Sequence, residues 1–178
     1  MEIFECIETR FSYRGTYKNT PVPREDLKKI LKAGTAAPSG CNKQTTSFIA
    51  IDDSEILSNI FELIKKDDSK GNTPPAGICV LTRHIPGYAN VYFNLQDYAA
   101  ACENLLLAIT ALGYASCWIE GQVTANEKTQ AQIAKLLGIP QDYEVVAFLP
   151  IGLPEANTKR PKYKPFKERA WFNKFGKN

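Results

Sequence analysis

The chain has 178 residues, of which 44% are hydrophobic, and this composition supports a single domain with a substantial core. The net charge of +3 is uneven, because residues 155–178 hold eight basic and two acidic residues, whereas residues 1–154 hold fourteen basic and seventeen acidic residues and carry a net charge of −3. This balance lacks the broad basic face of a nucleic-acid-binding protein, so we expect no nucleic-acid partner, and the basic tail suits either a solvated surface or an anion site.

Two helices are predicted in the first forty residues. The first spans residues 1–9 and has one apolar face, which comprises Ile3, Phe4 and Ile7. The second begins with Pro23 at its first helical position and carries Glu25 and Asp26 in its first turn.

Polar segments follow both helices. After the first come Arg10, Ser12 and Arg14, whose two arginines could hold one anion, although spacing alone favours ordinary surface charges. After the second, the irregular loop over residues 36–44 offers uncharged hydrogen-bonding groups. Such a loop suits a heteroaromatic ring edge or a sugar-like chain, and a plain turn fits it equally well.

The middle of the chain predicts two strands and a helix. The strands cover residues 47–51 and 77–82, and the helix between them is capped by Ser54. A polar loop is expected over residues 67–75. A second loop, over residues 84–94, contains three aromatic residues for which core packing is favoured over pocket lining: Tyr88, Tyr92 and Phe93.

The central helix is predicted over residues 97–112 and ends at Gly113. From residue 105 onward nearly every position is apolar, so we expect burial on all faces, by other elements or by a second copy of the chain. A buried strand over residues 115–119 follows. Glu120 and Gly121 end that strand, at a natural place for a ligand.

The last part of the chain predicts a helix, a strand and the tail. A capping box from Thr124 to Glu127 opens the helix, Gly138 and Pro140 end it, and the strand covers residues 144–151. Four tail aromatics should find a surface on this chain or on a partner: Phe166, Trp171, Phe172 and Phe175. The whole is a layered arrangement of helices with a small sheet of four strands.

Several chemistries are excluded. Five scattered cysteines without a Cys-x-x-Cys pair indicate core thiols in a reducing compartment. A single histidine, His84, cannot build a histidine-based zinc site, and hydrolase-elbow, Walker and dinucleotide-binding motifs do not occur. The acidic N-terminus is unlike a signal peptide, and the central helix is too short to cross a membrane, so we expect a cytoplasmic protein. An enzyme of this composition would depend on an organic cofactor.

Four motifs in order resemble the nitroreductase family of FMN-dependent oxidoreductases, over essentially the whole chain. They are Arg-x-Ser-x-Arg at Arg10, Ser12 and Arg14; Ala-Pro-Ser-x-x-Asn-x-Gln at residues 37–44; the central helix with Cys117-Trp118-Ile119 beyond it; and Pro-Ile-Gly-Leu-Pro at residues 150–154 before a lysine-rich tail. The resemblance implies a three-layer α+β fold with a small mixed sheet flanked by helices. It also implies a homodimer with FMN at the subunit interface, in which residues 155–178 embrace the partner.

The resemblance also assigns the cofactor contacts. Arg10 and Ser12 would hold the FMN phosphate with Lys162 and Lys164, and Phe11 departs from the family pattern, which leaves its backbone N–H as the remaining contact. Arg14 would lie near the N1/O2 edge of the flavin and favour its reduction. The flavin ring would meet a loop of the other subunit that contains Pro38, Ser39, Gly40, Asn42 and Gln44. The backbone at Glu120 and Gly121 would face N5.

The implied activity is hydride transfer from NADH or NADPH through the flavin to a nitroaromatic, a quinone or a similar small-molecule acceptor, by a ping-pong mechanism without a side-chain nucleophile. The short connection over residues 83–94 implies an open pocket with broad acceptor tolerance. Two alternatives remain: a specialised enzyme of the same fold, such as a reductive dehalogenase, and a protein that binds flavin without turnover.

Overall fold

The computed structural model of the chain describes residues 1–64, 72–156 and 160–177. Six α-helices and three strands occur in this part, in the order α1 Ile3–Thr9, α2 Arg24–Thr35, β1 Thr46–Ile51, α3 Ser54–Ile64, β2 Ala76–Thr82, α4 Asn94–Ala111, α5 Gly121–Thr124, α6 Glu127–Leu137 and β3 Glu144–Ile151. Short 3-10 turns lie at Gly40–Asn42, Tyr88–Asn90 and Phe166–Glu168. Most of the loop predicted over residues 67–75, and Lys159 of the tail, lie outside the described residues.

The sheet has the order β1-β2-β3, and every residue of the central strand β2 is buried. Side chains alternate between two apolar clusters. Ile78 and Val80 face α2 and α4, whereas Cys79 and Leu81 face α3 and α6. The three-layer α+β architecture is therefore confirmed. Both strand pairings are antiparallel, so the expectation of a mixed sheet is wrong.

The fourth predicted strand, over residues 115–119, is absent from this sheet. The segment is extended but makes only isolated bridges, including Ala115 with Gly152 and Ile119 with Phe148. Its apolar side chains pack on both faces of the sheet, with Trp118 in one cluster and Ile119 in the other. A short, mostly apolar run predicts burial, and it does not by itself predict a ladder of hydrogen bonds.

Helix boundaries agree with the sequence more closely than helix caps do. Gly113 and Gly138 follow α4 and α6 with positive φ, as predicted. Asp53, not Ser54, caps α3, because its Oδ1 accepts the N–H groups of Glu55 and Ile56. Asn126 caps α6, so the predicted capping box is wrong. Thr124 instead ends the short helix α5, and Pro23 precedes α2 by one position.

Helix α4 packs against α2 and the sheet, and Leu105 and Ile109 are completely buried. The expected burial on all faces is not reached within one chain, because Leu107 and Ala108 are only partly buried and Ala111 is exposed. Helix α1 lies along α4, where the Cys6 thiol donates a hydrogen bond to the carbonyl of Leu107 at 3.1 Å.

Two groups of apolar side chains stay uncovered by this chain. On α1 the predicted apolar face is exposed, with Phe4 at 75%. In the tail, Trp171 and Phe175 pack on each other with ring centroids 4.2 Å apart, yet Phe175 is 87% exposed. None of the helices in the described ranges combines the length and apolarity that crossing a membrane requires.

Two expectations of core packing are wrong. Tyr88 and Tyr92 are exposed, and only Phe93 of the three loop aromatics packs inward, beside Gly40 and Gly87. All five cysteines are free thiols, and Cys41 is exposed while the other four are buried. Burial raises the pKa of Cys79 and of Cys102 to about 12, as expected for inert core thiols.

We expect Asp53→Ala to lower the free energy of unfolding by about 1 kcal/mol, because two amide groups of α3 lose their acceptor. The neighbouring change Ser54→Ala is the matched control and should cost less than about 0.5 kcal/mol. Urea unfolding of both variants measures the difference. Equal losses would contradict the assignment of Asp53 as the cap.

Candidate functional site

A pocket of about 320 Å³ lies between the end of α1, helix α4 and the start of the tail. Its wall brings together the polypeptide after α1, one face of α4 and the extended segment that follows α4. The lining residues that matter below are Arg10, Phe11, Leu106, Thr110, Ser116 and Arg160. Two of the predicted site residues, Arg10 and Phe11, therefore share this pocket.

The first pocket is lined by two positively charged arginines and by the Ser116 hydroxyl, which makes no hydrogen bond within the described residues. Arg10 Nε lies 3.2 Å from Glu103 Oε1 on α4, which orients the guanidinium. The guanidinium carbon of Arg160 lies 5.8 Å from the centroid of the Phe11 ring, a cation–π distance. Ser116 is buried, and its Oγ has no hydrogen-bond partner in the described part of the chain. This donor set suits a phosphate-like anion.

The tail residue at this pocket differs from the predicted ones. Arg160 lines the pocket, whereas Lys162 and Lys164 are exposed and are not among its lining residues. Sequence reasoning counted Arg160 only as part of the basic tail. The signal that could have found it is its position near the start of the basic tail, before Lys162 and Lys164.

Ser12 and Arg14 lie beside the segment after α4. Ser12 forms a parallel bridge with Ser116, and the amide of Tyr13 donates to the carbonyl of Ser116 at 2.8 Å. Arg14 is exposed and its Nη1 donates to the carbonyl of Ser12 at 3.4 Å. Behind them, burial raises the pKa of the Cys117 thiol, opposed by the charge of Arg14 and a hydrogen bond with Ser12. A thiol with a raised pKa is a poor nucleophile near neutral pH.

The loop after α2 forms the wall of a second pocket, of about 240 Å³. Three residues of this loop have left-handed backbone conformations: Cys41, Asn42 and Gln44. The Gln44 amide donates to Ser39 Oγ at 3.0 Å. Pro38, Ser39 and Gln44 line the pocket, together with Asp97 and Ala101 of α4.

Glu120 and Gly121 lie at the start of α5. Tyr98 on α4 is buried, and its hydroxyl donates to Glu120 Oε1 at 2.8 Å. Burial and the neighbouring Glu120 carboxylate both raise the pKa of Tyr98, so it stays a protonated donor at physiological pH. A side chain at Gly121 would meet no other atom within 4 Å, so its backbone borders open space.

The two pockets occupy opposite faces of α4. One is lined by Asp97 and Ala101, the other by Leu106 and Thr110. At 3.6 residues per turn these pairs point roughly 140–180° apart around the helix axis. The predicted phosphate contacts and the predicted ring-contacting loop are therefore separated within one chain. In the described ranges, no group of three or more His, Cys, Asp or Glu could hold a metal ion.

Comparison with known proteins identifies relatives of the whole chain. The model of the nitroreductase family matches residues 7–80 and 70–153. A protein of Archaeoglobus fulgidus, provisionally named an NADH dehydrogenase/NAD(P)H nitroreductase, is 33% identical over 86% of this chain and 86% of its own length. Rat iodotyrosine deiodinase 1 is 23% identical over 92% of this chain and 66% of its own length.

A solved structure agrees with these sequence matches. The crystal structure of a nitroreductase with bound FMN from Bacteroides fragilis superposes with a TM-score of 0.74 and 29% identity. The alignment covers 92% of this chain and 95% of the other. The likeness therefore extends over most of both chains.

Proposed function

The chain belongs to the nitroreductase family of FMN-dependent oxidoreductases, and we propose that it transfers a hydride from NADH or NADPH, through FMN, to a small-molecule acceptor such as a nitroaromatic or a quinone. The observation that carries the proposal is the first pocket, which is lined by two arginines and by the buried hydroxyl of Ser116, for which the described residues provide no hydrogen-bond partner. The family match supplies the identity of the cofactor that this donor set suits.

Arg10, Arg160 and Ser116 are the proposed phosphate contacts. Arg10 keeps free guanidinium donors beyond the edge that faces Glu103, because arginine has five N–H groups in a planar fork. The hydroxyl of Ser116 offers a further donor. Ser12 and the backbone N–H of Phe11 lie next to this pocket, and Lys162 and Lys164 are retained as tail contacts.

The ring system is proposed to lie between Arg14, the Glu120–Gly121 backbone and the 38–44 loop. That loop contributes Pro38, Ser39, Gly40, Asn42 and Gln44, all without net charge. Arg14 is exposed and is available to place positive charge beside the pyrimidine edge of the ring. Tyr98 holds the side chain of Glu120 and so restrains the backbone that would face N5.

FMN supplies hydride acceptance and donation when it is bound. The protein residues bind the phosphate, orient the ring and provide the positive charge that favours reduction. A donor and an acceptor that occupy the same place in turn give a ping-pong sequence. The connection between β2 and α4 is short, which supports an open place for acceptors of different shapes.

We also propose that the functional unit is a homodimer. The 38–44 loop and the phosphate pocket lie on opposite faces of α4, so a second copy would have to supply the loop for each ring. The exposed face of α1, the uncovered side of α4 and the aromatic tail are apolar surfaces that a second copy would bury. In this arrangement residues 155–178 embrace the partner.

A specialised reductive dehalogenase is the second candidate. The similarity to rat iodotyrosine deiodinase 1 over 92% of this chain supports this candidate. Assays that compare the turnover of halogenated phenols with that of nitroaromatics and quinones distinguish the two candidates. Flavin binding without any turnover is the remaining alternative.

The test of function is an absorbance spectrum of the purified protein before and after anaerobic addition of NADH or NADPH. We expect flavin bands that bleach with the nicotinamide and return when a nitroaromatic or a quinone is added. Bands that never bleach would favour a flavin-binding protein without turnover. A colourless protein that takes up no FMN would overturn the proposal.

Phosphate recognition predicts a difference between FMN and riboflavin. We expect Arg10→Gln and Arg160→Ala each to weaken FMN binding roughly 10- to 100-fold, which corresponds to one charge-assisted hydrogen bond, and to leave riboflavin binding unchanged. Flavin fluorescence titration measures both affinities.

The matched control is Lys135→Ala, which removes an exposed cation from α6 on the other side of the sheet. It should change FMN affinity less than twofold. Lys162→Ala and Lys164→Ala decide in the same titration whether the tail lysines contribute. Equal losses for FMN and riboflavin in the arginine variants would contradict a phosphate contact.

The dimer predicts a molecular mass in solution of twice the 19.8 kDa chain. Phe4→Glu should shift the protein toward monomer and weaken FMN binding, because it puts a charge in the proposed interface. Leu136→Glu, an exposed apolar position on α6, is the control and should stay dimeric. Light scattering after size-exclusion chromatography measures the mass. A monomeric wild-type protein that binds FMN tightly would rule the dimer out.

A further inference from the structure

We propose that Asp97 is a positioning residue, whose buried carboxylate holds residues 39–45 in the conformation that receives the flavin ring. The identity of the ligand rests on the proposed function, whereas the anchoring is a property of the chain itself. Asp97 is 4% exposed and lies near the start of α4. In the sequence, Asp97 is only the first residue of the predicted central helix, and no local pattern indicates its role.

The carboxylate holds the loop at two points. Oδ1 accepts the backbone N–H of Gly40 at 2.7 Å, and Oδ2 accepts the hydroxyl of Thr45 at 2.7 Å. Both bonds have a charged acceptor and are among the stronger hydrogen bonds of a protein. They fix the beginning and the end of the segment that contains Cys41, Asn42 and Gln44.

The hydrogen bonds inside the segment are local, since the amide of Asn42 donates to the carbonyl of Ser39 at 3.0 Å and the amide of Lys43 donates to the carbonyl of Gly40 at 3.1 Å. Cys41, Asn42 and Gln44 have φ values of 51°, 54° and 49°, in the left-handed region that residues with a side chain adopt at a cost. Such conformations persist where surrounding contacts determine them. The bond from the Gln44 amide to Ser39 Oγ lies within the segment and does not attach it to the rest of the fold.

The anchor points are themselves well held. Thr45 is buried and its carbonyl accepts the amide of Arg83 at the end of β2, at 3.0 Å. At the other point, a Cβ on Gly40 would overlap the side chain of Phe93, so the backbone of Gly40 packs closely against the start of α4. The amide of Asp97 donates a hydrogen bond to the carbonyl of Phe93 at 2.8 Å. The residue that packs on Gly40 and the residue that binds the loop therefore belong to the same first turn of α4.

A buried carboxylate could also serve stability alone, so the test must separate the two roles. Asp97→Ala removes both acceptors, Asp97→Asn keeps an acceptor for one of the two donors, and Thr45→Val removes only the hydroxyl donor. Cys102→Ala is the matched control. Cys102 is completely buried in the core on α4, and it makes no hydrogen bond to the described residues of the loop.

Three quantities are measured on the full chain. Amide hydrogen exchange of residues 39–45 is followed in FMN-free protein, FMN affinity is measured by fluorescence titration, and the melting temperature is taken without FMN. For Asp97→Ala we expect faster exchange in this segment and at least tenfold weaker FMN binding. Asp97→Asn and Thr45→Val should each increase exchange and lower FMN affinity by less than Asp97→Ala does, because each keeps one of the two anchoring hydrogen bonds. Cys102→Ala should lower the melting temperature and leave exchange and affinity within twofold of wild type.

The proposal is overturned if exchange in residues 39–45 is unchanged in Asp97→Ala, or if FMN affinity stays within twofold of wild type. It is also overturned if Cys102→Ala reproduces all three effects. If Asp97→Ala does not fold, Asp97→Asn and Thr45→Val decide by the same two criteria. A wild-type protein that binds no FMN refutes the ligand and the proposed function, and exchange in FMN-free protein then decides the anchoring on its own.

Discussion

The burial of α4 is the constraint on which the rest of the structure depends. Leu105 and Ile109 fill the space between the sheet and α2, and the Asn104 side chain donates to the carbonyl of Ala33 at 3.1 Å, which ties the two helices together. Full burial of each such aliphatic side chain stabilises the fold by about 1.5–3 kcal/mol. A helix held in this way cannot rotate or slide, so every group attached to it has a fixed position.

The candidate site uses that rigidity at successive turns. Asp97 holds the 39–45 segment, Tyr98 holds Glu120, and Glu103 orients Arg10. Asp97 and Glu103 are about 9 Å apart along the axis at the usual rise per residue. Flexible segments without regular structure thus acquire defined positions because each contacts the same rigid element.

Sequence reasoning predicted the elements well because their signals are local. The signals for α3, for the mostly apolar β2 and for the glycines after α4 and α6 each depend on a few neighbouring residues. The caps were less predictable, since Asp53 and Ser54 are adjacent and both are good capping residues, and only the backbone path decides between them. Residues 115–119 do not form a regular strand because they exchange hydrogen bonds with β3 and the adjoining Gly152 only at Ala115 and Ile119, and no local pattern indicates such interrupted pairing.

The candidate site was predictable in part for the same reason. The motif residues Arg10 and Phe11 do meet in one pocket, and Pro38, Ser39 and Gln44 meet in another. The contributions of Arg160 and Asp97 arise from contacts between parts of the chain that are far apart in sequence, so spacing alone could not reveal them. Of the groups that line the first pocket, the hydroxyl of Ser116 says most about whether a ligand binds there. Arg10 is paired with Glu103 and Arg160 is exposed to solvent, so neither needs a ligand, whereas a buried polar group such as the Ser116 hydroxyl, without a partner in the described residues, costs about 1–3 kcal/mol, which an anion in the pocket would recover.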